Sequence, residues 1–148
     1  MTVRPLIVGI GSPHGDDQAG WCVINDLLRR GAPLDSARSA KIPTDILDWS
    51  HVDRPLILCD ACQDGRPPGT ISQWSWPDDP FPQRTFGTHD YPLDGVLSLG
   101  VTLGCIPNRV TIWTISVDKC ESMQEPAPTV TAASETIAAR LWEDLQHA

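Results

Sequence analysis

Three short apolar runs limit the folds open to this chain more than any other feature. Arg4 to Ile10, Pro55 to Ala61 and Arg109 to Val117 are strand-sized and rich in leucine, isoleucine and valine. Between them the apolar spacing changes to that of amphipathic helices. Gln18 to Arg30 repeats Trp21, Ile24, Leu27 and Leu28 at three- and four-residue steps, with Asp16 or Asp17 placed to cap its start and Gly31 to stop it. Asp90 to Leu103 puts Leu93, Val96, Leu97 and Gly100 on one face. Thr129 to Gln146 carries the stripe Val130, Ala133, Ile137, Leu141 and Leu145. Apolar strands alternating with such helices predict an α/β fold, a three-layer, mostly parallel twisted sheet of about five strands flanked by helices. The remaining elements are weaker. Leu34 to Lys41 reads as a short strand, Thr44 to Ser50 as a short helix capped by Thr44, and Thr70 to Trp76 as an edge strand. The prolines between Trp76 and Pro82 predict an extended loop.

The 148 residues suffice for one domain spanning 1–148, with 41% hydrophobic and 20% charged residues, a globular balance. A net charge of −8 repels phosphate backbones and anionic lipid, so neither nucleic acid nor a membrane surface is an expected partner; a cation or a basic peptide is. No apolar run approaches the roughly 20 residues of a bilayer span. The strand-like run begins directly after Arg4, which leaves no signal peptide and makes the cytoplasm the expected compartment. Five cysteines, an odd number, then read as reduced thiols, with Cys22 and Cys105 as small core residues.

In parallel α/β sheets ligands gather beyond the carboxyl ends of the strands. The polar residues that fall there are His14, Asp16 and Asp17 after the first run, Asp60 at the end of the second, and His89 in Gly87-Thr88-His89-Asp90. Asp17, Asp60 and His89 would share one rim. Two carboxylates and an imidazole suit a borderline divalent metal such as nickel, zinc or iron, and three protein ligands leave positions open for water or substrate. Each residue also has a plainer role open to it: a helix cap for Asp16 or Asp17, a turn residue for Asp60, a solvated loop histidine for His89. His14 could be a further ligand or an outer partner, whereas His51 falls at the opposite rim and His147 at the terminus.

The loop Gly9-Ile-Gly-Ser-Pro-His-Gly-Asp-Asp sits where a nucleotide loop would, but its spacing is G-x-G-x-x-x-G, no lysine follows, and two acids would face any phosphate. Cys59 and Cys62 form a C-x-x-C, yet the turn-rich DGRPPG that follows cannot supply the helix a redox pair uses, and no second pair completes a zinc knuckle. His89-Asp90 lacks the further histidines of a metal phosphohydrolase.

GIGSPHGDDQAG after a strand, then LILCDA, then GTHDYPLDGVLSL resembles the hydrogenase maturation endopeptidases, and IWTISVDKCESMQEPAPTV resembles their last strand, loop and helix. The resemblance implies an α/β enzyme of the cytoplasm. Such an enzyme removes the carboxyl-terminal extension of a nickel-iron hydrogenase large-subunit precursor after nickel insertion. It also implies Asp17, Asp60 and His89 as the metal-contacting and catalytic set, the precursor as partner, and nickel supplied by the substrate. Asp16 and His14 are then candidates for a general base. The pattern departs from the family at Ser12, where asparagine is usual, at Gln18, and across residues 39–46, where a glycine-threonine loop would meet the substrate. Two other readings fit the same rim: a metal-dependent hydrolase with its own zinc, and a maturation chaperone without catalysis.

Overall fold

The computed structural model describes residues 3–81, 92–118 and 125–147. Five strands, β1 (Leu6–Ile10), β2 (Ala37–Ala40), β3 (Leu56–Cys62), β4 (Ile71–Trp76) and β5 (Val110–Ser116), form one sheet in the order β2-β1-β3-β5-β4. The first four in that order are parallel, and β4 closes one edge antiparallel to β5. The helices are α1 (Ala19–Arg30), α2 (Asp45–Trp49), α3 (Leu93–Thr102) and α4 (Pro128–Gln146). This is the mostly parallel, helix-flanked sheet expected from the sequence.

The unbroken apolar character of β1 follows from its position: all five residues are buried, because helices cover both faces of the sheet. Alternate residues feed two cores. Ile7, Cys59 and Ile115 meet Ile24 and Leu27 of α1 and Ile137 and Leu141 of α4. Leu6, Val8, Ile10, Leu58 and Ile112 meet Ile46 of α2 and Leu93 and Leu97 of α3. The stripes read on α3 and α4 are the faces that pack, and Gly31 ends α1 in the left-handed conformation (φ 108°), with the Ala32 amide donating back to the Leu27 carbonyl.

Several local expectations are corrected. Helix α1 begins at Ala19 after a 3-10 turn over Gly15–Gln18, and no side chain caps it, so neither Asp16 nor Asp17 has the capping role read for it. Its buried face is Ala19, Gly20, Val23, Ile24 and Leu27, with Trp21 and Leu28 only half-buried. The cause is a contact that periodicity does not show. Backbone meets backbone at Gly20, where an added Cβ would stand 2.4 Å from the Ile10 carbonyl oxygen and 2.5 Å from that of Cys59. Thr44 makes no capping bond to α2. After β4 the chain does not run extended but reverses in a turn, with a cis Trp76–Pro77 bond. There the Asp79 carboxylate accepts from the Ser75 amide at 2.8 Å and the Asp79 amide donates to the Ser75 carbonyl. Asp90, at the expected start of α3, lies outside the described residues.

Candidate functional site

The chain leaves β1 toward β2 on one side and returns to β3 on the other, so the topological switch point is the gap between the carboxyl ends of β1 and β3. Gly9, Gly11 and Gly20 make that gap compact. A Cβ on Gly9 would stand 2.1 Å from the Gly20 carbonyl oxygen, and one on Gly11 would stand 2.7 Å from that of Asp17. The G-x-G that resembles a nucleotide loop is thus a packing device, which brings the start of α1 against the strand ends.

The 3-10 turn packs on β3 at this point and carries Asp16 and Asp17, both buried. The Asp17 amide donates to the His14 carbonyl at 3.0 Å, and the Asp17 carbonyl accepts from Ser12 at 3.3 Å, which folds the turn back on the strand end. Asp16 faces elsewhere: its Oδ1 accepts from the Ala127 amide at 2.7 Å, at the start of α4. Asp60 is 3% exposed and lies inside β3, two residues before its end, so it is not a turn residue. Its Oδ1 accepts from the Ala61 amide at 2.8 Å. Strand alternation puts it on the face of Leu56 and Leu58, toward α2 and α3, opposite Thr114 of β5.

The fold therefore brings Asp17 and Asp60 to one rim. His89, the third member of the expected set, lies outside the described residues, as does Cys120, and among the described residues no three histidine, cysteine or acidic side chains gather as a metal site. His14 is exposed on the loop before the turn. His51 is exposed ahead of β3, at the opposite rim, with its Nδ1 accepting from the Asp53 amide at 3.1 Å.

Cys59 and Cys62 are both buried, free thiols of β3, three residues apart and so on opposite faces. Burial pushes the Cys59 thiol far up, and burial pushes Cys62 up to about 11 although the Thr114 hydroxyl opposes the shift. Both thiols are therefore part of the packed strand, not of a helix amino terminus. Cys22, half-buried, is also raised by burial. It borders a cleft of about 200 Å³ between α1 and α4, lined with Gln18, Asn25, Arg29 and Glu125 among others.

One polar group escaped the sequence reading. Beyond Asp60, on the same face, Thr114 accepts from the Trp74 indole at 2.9 Å, and the Arg66 guanidinium stacks over Trp74 at 5.7 Å while donating to Ser72 at 2.6 Å. Burial opposes the charge of Asp64, but the Arg66 amide, which donates to its Oδ1 at 3.1 Å, and the Arg66 charge outweigh it and hold its carboxyl below the ordinary value. The available signal was Thr114 and Ser116, two hydroxyls ending an otherwise apolar face of β5.

The sequence matches no protein-family model and no curated protein. Solved structures do match over nearly the whole chain. The hydrogenase maturating endopeptidase HybD from Escherichia coli superimposes with a TM-score of 0.77 at 20% identity, over 98% of this chain and 93% of that one. An endopeptidase from E. coli gives 0.75 at 21%, over 98% and 93%. The nickel-iron hydrogenase maturation protease HycI from Thermococcus kodakarensis gives 0.74 at 19%, over 97% and 93%. At such identities the likeness is one of fold: this chain has the architecture of the hydrogenase maturation endopeptidases.

Proposed function

We propose that this protein is an endopeptidase that removes the carboxyl-terminal extension of a nickel-iron hydrogenase large-subunit precursor after nickel has been inserted. The observation that carries the reading is the packing of the Asp17 turn on β3, the strand that holds Asp60, at the switch point of a fold shared with such endopeptidases. Asp17, Asp60 and His89 are the residues we assign to the metal. The donor set suits nickel, since two carboxylate oxygens and an imidazole nitrogen are ligands a borderline divalent ion accepts. The nickel belongs to the substrate, and bound there it supplies Lewis-acid polarisation of an adjacent carbonyl or water.

The chain's own part is to present those side chains from a rigid frame. Asp60 is set by a seven-residue strand in the middle of the sheet, and the Ala61 amide fixes the orientation of its carboxylate. Asp17 is set by a turn pressed against the same strand. A precursor without nickel would make fewer contacts at this rim, so metal insertion would gate the cut. The reaction is amide hydrolysis: water adds to the scissile carbonyl carbon, the C–N bond breaks, and the new amine leaves with a proton. We place it in the cytoplasm, where the free thiols of Cys22, Cys59, Cys62 and Cys105 persist.

The test is to incubate nickel-loaded precursor with the wild type, Asp60→Ala and His89→Ala and to read the precursor by intact mass. Loss of the tail with the wild type alone supports the proposal. Stable binding without a cut by the wild type would instead make the protein a chaperone. A stoichiometric metal in protein purified without chelator would favour a hydrolase with its own ion.

A further inference from the structure

Asp16 and Asp17 are adjacent and both buried, 9% and 4% exposed, but the fold separates their tasks. With three residues per turn, neighbouring side chains on a 3-10 turn diverge by about 120°. Asp16 reaches across 111 positions of sequence to the Ala127 amide, at 2.7 Å. Ala127 is the residue before the 19-residue helix α4; it has no side-chain oxygen to offer, and Pro128 after it has no N–H. A carboxylate at that end satisfies an amide and lies at the positive pole of the helix. From its other side the turn is held by the Ser12 amide, which donates to the Asp17 carbonyl, and by Gly11, which admits that carbonyl at close range. The turn is therefore clamped to the end of β1 through the Asp17 carbonyl and to the start of α4 through the Asp16 carboxylate.

We infer that Asp16 is a positioning residue, neither a metal ligand nor a proton carrier, and that its bond to Ala127 locks the Asp17 turn to α4. The consequence for catalysis rests on the proposed function; the lock itself does not. Two variants isolate the bond. Asp16→Asn keeps an oxygen acceptor and loses the charge, whereas Asp16→Ala loses both. A third, Ala127→Pro, removes only the donor, and the φ of −61° and ψ of 149° at Ala127 already suit proline.

Hydrogen exchange should quicken in both segments, 12–18 and 127–131, in Asp16→Ala and in Ala127→Pro, and return toward wild type in Asp16→Asn. With nickel-loaded precursor, Asp16→Ala should lower kcat roughly 10- to 100-fold with KM within about twofold, and Asp16→Asn should restore kcat to within about threefold on an unchanged pH profile. Asp17→Asn should lower kcat without altering exchange. A loss in Asp16→Asn as deep as in Asp17→Asn, or a displaced pH profile, would make Asp16 a ligand or a proton carrier and overturn the inference. So would unchanged exchange in either segment of Asp16→Ala and Ala127→Pro. If the wild type does not cut the precursor, the endopeptidase reading falls, and the exchange comparison still decides whether the lock exists.

Discussion

Asp60 shows how much a single residue can depend on its neighbours. Held in β3 with one oxygen on the Ala61 amide, it can be changed to asparagine with little disturbance of shape. Asp60→Asn should melt close to wild type and yet lose cleavage of nickel-loaded precursor by on the order of 100-fold, the scale set when a preorganised charged group at a reacting centre is removed. Intact-mass kinetics and a thermal melt together check this, and full activity in the variant would remove Asp60 from the site. At Gly20 the expectation is opposite in kind. A methyl group there meets the carbonyl oxygens of Ile10 and Cys59, which the sheet holds in place. Gly20→Ala should therefore destabilise by about 3 kcal/mol, the upper end of overpacking, measured by urea unfolding.

At the scale of elements, the loop from β3 to β4 is held by its own charges. The folded-state pKa of Asp64 is lowered, so its contribution to stability is present above its ordinary value of 3.8 and is lost as pH falls through the folded value. Asp26 on α1 behaves likewise: burial opposes its charge, but bonds from Arg30 and Arg29 prevail. Wild type should therefore lose urea stability below about pH 4, and Asp64→Asn should lose less over that interval, although it is less stable at neutral pH. Equal slopes for the two proteins would rule out this account of Asp64. The elements also differ in how readable they were. Helices α3 and α4 were legible because each shows one apolar stripe to one sheet face. On α1 the stripe gave Ile24 and Leu27 as core with Leu28 packed against it, but not Ala19, Gly20 and Val23, because the closest contact there is glycine backbone, which carries no hydrophobic signal. The turn after β4 was misread because its prolines forbid a helix without saying which way the chain then goes.

Across the whole molecule, β3 is the keel, paired on both sides and covered by helices above and below. Cys59 and Cys62 lie inside it, so their labelling by a thiol reagent should begin only in the urea range where circular dichroism reports global unfolding, while half-buried Cys22 and Cys105 label earlier. Modification of Cys59 well below that transition would show β3 opening on its own. The sequence by itself determined the class of fold, the order of its strong elements and the placement of Asp17 and Asp60 at one rim. These follow from local periodicity and from the rule that parallel strands end together. Only the tertiary structure decided that Asp16 serves α4, that the glycines serve packing, and that Asp64, Arg66 and Trp74 form a group beside Asp60. Those facts depend on contacts between residues far apart in the chain, and local pattern carries no record of which backbone amide a carboxylate will meet.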